Sequence, residues 1–149
     1  MSIKERFLRE EQEAWEEFRA EVDAVPPQHI AADGYYADWS VKDLLAHVGS
    51  WLAEAVKVLE QIRMGTHSRW RGDVDVLNRT WWEAWREVDV AAVTAHLHSG
   101  RGRMLQEWEL LPEELVSRRA REWFRESGAR HYREHLPRLR EWATELAGR

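Results

Sequence analysis

Apolar residues recur along this chain at helical spacing, and nowhere with the period of two that a half-buried strand requires. Phe7, Leu8, Trp15, Phe18, Val22 and Val25 mark a first helix over residues 3–25. Pro26-Pro27 ends it, since proline cannot continue the hydrogen-bond ladder. Residues 26–39 read as a loop with a turn at Asp33-Gly34. Its aromatics Tyr35, Tyr36 and Trp39 are too many for a solvated loop and are expected to fold over the end of a bundle. A second helix starts sharply at Ser40, with Asp43 in the carboxylate position of a capping box. Its stripe of Val41, Leu44, Leu45, Val48, Leu52, Ala55, Leu59 and Ile62 runs to about Met64, and Gly65 stops it.

Residues 65–73 read as a polar loop, and Val76, Leu77, Trp81, Trp82 and Trp85 define a third helix from Val74 to Glu87. Asp89 is placed to cap a fourth, Val90 to Leu110, which Gly100 and Gly102 are expected to break or bend. Residues 111–115 form a loop with a short turn. A last helix is expected from Ser127 to Leu146, bent by Pro137. The pattern predicts an all-α protein: an antiparallel four-helix bundle with an additional short helix, in one domain over residues 1–149.

Composition narrows the picture. A net charge of −5 argues against nucleic acid as a partner, which favours a basic face. Arg118, Arg119, Arg121 and Arg125 cluster, but with Glu113, Glu114, Glu122 and Glu126 beside them they read as a solvated, ion-paired surface. The chain has no cysteine, which excludes disulfides, thiolate metal sites and a cysteine nucleophile. The first residues lack the apolar core of a signal peptide, and no apolar run is long enough to span a bilayer, so a cytoplasmic protein without a membrane partner is expected. Ten tryptophans are unusual for this length and are expected in the core or in a pocket wall.

The candidate chemistry lies in histidines. His131 and His135 are four residues apart on the apolar face of the last helix, so their imidazoles stack along one side. His47 flanks the stripe of the second helix. If those helices are neighbours, three neutral nitrogens can hold a divalent metal and leave positions open, as catalytic sites do. Asp43 lies one turn before His47 and is expected to cap its helix rather than orient the imidazole. His29, His67, His96 and His98 are expected outside the site, and Glu134 is expected to point away from it. Tyr35, Tyr36, Trp39 and Trp51 are candidates for a pocket wall or for the core.

The segment Trp39-Ser40-Val41-Lys42-Asp43-Leu44-Leu45-Ala46-His47-Val48-Gly49-Ser50-Trp51 resembles the second-helix signature of the DinB superfamily, and His131-Tyr132-Arg133-Glu134-His135-Leu136 resembles its closing His-x-x-x-His motif. Asp75 and Asn78, followed by aromatics, are similar to the branch containing the DfsB and ClbS proteins. The resemblance implies a four-helix bundle, often dimeric, with a divalent metal (Zn, Ni or Fe) on His47, His131 and His135. It also implies kinship with thiol-dependent enzymes that use mycothiol or bacillithiol, and with proteins that protect against a DNA-damaging natural product.

On that basis the expected function is a metal-dependent transferase or hydrolase acting on a small molecule in detoxification or stress response, with a low-molecular-weight thiol as co-substrate and a homodimeric assembly. Fold alone does not fix the reaction. The alternatives are a non-catalytic binding or sequestration protein with an aromatic-lined cleft, and a structural metal or plain helical dimer.

Overall fold

Five of the helices start on a side chain that replaces the hydrogen bonds missing from a first turn. Ser2 and Ser40 close full capping boxes with Glu5 and Asp43, and Asp73, Asp89 and Ser117 accept the backbone N–H three residues on. The computed structural model describes residues Met1–Arg149. Its helices are α1 (Ile3–Asp23), α2 (Val41–Met64), α3 (Val74–Trp85), α4 (Val90–Leu110), α5 (Arg118–Ser127), α6 (Ala129–Glu134) and α7 (Leu136–Ala147), with single 3₁₀ turns at Pro27–His29 and Glu113–Leu115. There is no strand, only an isolated bridge between Tyr36 and Trp39.

The fold is an all-α bundle. α2 is its central element, packing along α4 and against α3 and α5, while α6 and α7 lie on α1. Trp108, Trp142, Tyr132, Phe18 and Phe124 are the largest of its fully buried side chains. Lys42 ties the α3–α4 connection to α2 by donating to the carbonyls of Arg86 and Val88 at 2.7 and 2.6 Å.

Three expectations are corrected. First, α4 runs unbroken through Gly100 and Gly102. A Cβ at Gly100 would lie 3.0 Å from the Gly49 carbonyl oxygen, and one at Gly49 would lie 2.9 Å from His96 and 3.1 Å from the Leu97 Cα. The two glycines let α2 and α4 approach closely, and that packing outweighs the propensity cost of roughly 1 kcal/mol per glycine.

Second, residues 118–127, ahead of the expected start of the last helix, form a helix of their own: α5 buries Ala120, Phe124 and Ser127 and carries the expected ion-paired arginines and glutamates on its exposed side. Third, the last helix is two helices that meet at His135. Pro137 lies in the first turn of α7, where its missing N–H costs nothing, and it cannot donate back to Arg133, so the earlier helix stops at Glu134.

Candidate metal centre

The two-helix break is what shapes the site. α6 is only six residues long and begins at Gly128, where a Cβ would lie 2.8 Å from the Phe124 carbonyl oxygen and 3.1 Å from the Met104 methyl. This close fit sets α6 against α5 and delivers His131 from its middle and His135 from its end. α2 supplies His47 from its second turn.

The structure brings these three residues together. Nε2 of His47 lies 3.0 Å from Nε2 of His131. The ring centroids are 4.8 Å apart for His47–His131, 4.8 Å for His131–His135 and 5.6 Å for His47–His135. One donor nitrogen from each ring lies within 4.8 Å of the others. His131 is buried, and the other two are half-buried.

Burial pushes the His47 imidazole down to about 4, with the His135 charge adding to the effect. It holds His131 well below the usual histidine range, helped by its two neighbours. His135 is also lowered by burial, against a smaller opposing pull from Glu134. All three are therefore neutral near pH 7, the form that binds metal.

His135 Nε2 is buried and has no hydrogen-bond partner. Such a group is costly unless something satisfies it. Bonds of about 2.0–2.1 Å from one ion hold neighbouring nitrogens roughly 3 Å apart, the separation seen between His47 and His131. The residues thus fit a divalent ion that accepts three neutral imidazoles, and this donor set does not choose among zinc, nickel and iron.

Asp43 takes no part. Its carboxylate accepts the Ser40 N–H at 3.0 Å in the capping box. His96 stacks on Trp85 at 4.0 Å and pairs with the Ser50 hydroxyl at 3.1 Å, and His67 bonds Gln61, so neither joins the cluster. His29 and His98 also stand outside it.

A cavity of about 510 Å³ opens beside His47 and His131. Trp51, Trp70 and Trp123 form its aromatic walls, and Glu122, Glu126, Ser127 and Glu134 supply polar groups. Asn78 accepts the Trp51 indole N–H at 2.8 Å and so holds that ring in place. Among the expected wall residues, Trp51 lines this cavity and Trp39 packs edge-on to the His47 ring at 5.2 Å. Tyr35 is buried away from it, where desolvation pushes its phenol up to about 12, and Tyr36 is 65% exposed.

Glu134 lines the cavity, against the expectation that it points away. Glu134 follows His131 by three residues and so lies on the same side of α6. The sequence reading also missed Trp70, Trp123 and Ser127. Trp70, an isolated tryptophan between two arginines in a polar loop, was the signal available for the first.

A helical bundle carrying three converging histidines beside a small-molecule-sized cavity is the architecture of the DinB-like superfamily. Within it, the chain belongs to the mycothiol maleylpyruvate isomerase N-terminal domain family, which matches residues 12–140. A similar fold occurs in the crystal structure of an uncharacterised protein from Escherichia coli UTI89, with a TM-score of 0.83 at 16% identity, covering 97% of this chain and 94% of that one. No curated protein matches the chain. No helix is long and apolar enough to cross a membrane.

Proposed function

We propose that His47, His131 and His135 hold one divalent metal ion, zinc, nickel or iron, in an enzyme that acts on a small molecule bound in the adjoining cavity. The reaction class is a transfer or hydrolysis with a low-molecular-weight thiol as co-substrate, serving detoxification or stress response. The observation that carries this reading is the convergence of three neutral imidazoles, one with an orphaned buried nitrogen, beside a cavity that His47 and His131 line. Membership of a mycothiol-linked family supports the thiol.

A divalent ion bound here would lower the pKa of a water or thiol at an open position and so supply a nucleophile at neutral pH. The protein's own contribution is orientation and exclusion of water. Trp39 braces the His47 ring from one side, and the short α6 fixes the angle between His131 and α2. Trp51, pinned by Asn78, shields one wall. We read the assembly as a homodimer, as the resemblance implies; sedimentation at micromolar concentration checks it, and a monomer contradicts it.

The test is thiol-dependent turnover of small electrophiles by wild type and by His131→Ala/His135→Ala. Loss of turnover in a variant that keeps its helical circular dichroism supports the mechanism, and robust activity in that variant refutes it. The aromatic walls favour a second reading, non-catalytic sequestration of a ligand. Quenching of tryptophan fluorescence by a ligand that the protein never converts would establish that alternative.

A further inference from the structure

The cavity beside the histidines has a charge and shape of its own. Trp51 and Trp70 lie 6.0 Å apart at 51°, and Trp70 and Trp123 lie 5.3 Å apart at 65°. Rings inclined in this way turn their faces in different directions instead of closing into a flat stack. Three carboxylates line the cavity, and no lysine or arginine does.

Arg118 and Arg130 pair with Glu122 and Glu126 at 2.8 and 3.2 Å, but neither arginine reaches the lining. Glu134 has no ion-pair partner at all, although the surrounding surface is rich in arginine. Ser127 is only 5% exposed, lines the cavity, and its hydroxyl bonds no protein group. The site therefore combines π faces, an unpaired carboxylate and an unused hydroxyl.

We propose that this cavity selects a small organic cation, a molecule bearing an alkylammonium group. The cation lies against the tryptophan faces with Glu134 as its counter-charge, and the rest of the molecule extends toward the histidines. The inference rests on the reading of this cavity as the substrate site. A cation over an indole face is attracted by the ring quadrupole, and an alkylated ammonium gives up less hydration than a compact one. An anionic ligand such as a dicarboxylate would instead meet the uncompensated Glu134 charge, with no lysine or arginine in the lining to offset it.

The test compares choline with its neutral isostere 3,3-dimethylbutan-1-ol by tryptophan-fluorescence titration and calorimetry. Wild type is expected to bind choline about tenfold more tightly, the size of one good cation–aromatic contact. Glu134→Gln and Trp123→Leu are each expected to reduce that preference severalfold, with circular dichroism confirming that both variants fold. The preference should persist in His131→Ala/His135→Ala. Failure of the metal reading, seen as no bound metal, is thereby separable from failure of this one. Equal or tighter binding of the neutral alcohol, binding of neither compound, or a preference untouched by both cavity variants overturns the proposal.

Discussion

Tyr132 donates its hydroxyl to Oε2 of Glu11 at 3.0 Å, joining residues 121 positions apart immediately beside His131. Arg101 completes the arrangement with two bonds to the same carboxylate, at 2.7 and 2.9 Å, and its guanidinium stacks over Trp15. Glu11 is fully buried, so one carboxylate fastens α1, α4 and α6 together.

Removing Arg101 would leave that charge buried and unpaired. Arg101→Met is therefore expected to cost about 3–5 kcal/mol in urea unfolding, or to prevent folding outright. Tyr132→Phe, which removes one neutral donor, should cost about 1–2 kcal/mol. An Arg101→Met protein as stable as wild type would contradict the role given to Glu11.

Gly49 of α2 and Gly102 of α4 make opposite predictions. Gly49→Ala places a Cβ 3.1–3.2 Å from the backbone of Leu97, which cannot move aside as a side-chain tip can. It should destabilise by about 1–3 kcal/mol. Gly102→Ala meets nothing within 4 Å and should stabilise by about 1 kcal/mol through helix propensity. Thermal melts resolve the two, since each kcal/mol moves Tm by roughly 2–4 °C at this size. Shifts of the same sign in both variants would refute the close contact of α2 with α4.

Acid should destabilise the metal-free protein. An unfolded chain titrates histidine near 6.5, whereas folded His47 is held down at about 4 and His131 and His135 are also lowered. Between those values the unfolded state binds protons that the folded state refuses, so protonation favours unfolding. The stability is fully present above pH 6.5 and is lost as the pH falls toward 4. The expected loss is on the order of 1–3 kcal/mol for the cluster, read from urea unfolding of chelator-treated protein at several pH values. It should shrink in His131→Ala/His135→Ala. An unchanged acid response in that variant would place the titration elsewhere.

Much of this was legible in the chain. The stripe beginning at Val41, bounded by Ser40-Asp43 and Gly65, predicts α2 from local signals that the structure uses directly: a capping box and a left-handed glycine with φ of 74°. The spacing of His131 and His135 and the flanking position of His47 indicated where a site would lie. The rest was set by tertiary packing. The Gly49–Gly100 contact overrides local helix propensity in α4, and it joins residues far apart in sequence. Glu134 follows His131 by three residues and shares its side of α6, and Trp123 reaches the cavity from α5, a helix that lies ahead of the expected last helix. Trp70 arrives from a loop, where no periodicity describes direction.

The most direct test of the central claim is metal content by elemental mass spectrometry, on untagged protein purified without chelator, for wild type and His131→Ala/His135→Ala. The account predicts about one transition-metal ion per chain in wild type, as a single three-imidazole site would hold, and none in the variant. Wild-type protein that stays metal-free after reconstitution with zinc, nickel and iron, or a variant that retains the same metal, would contradict it.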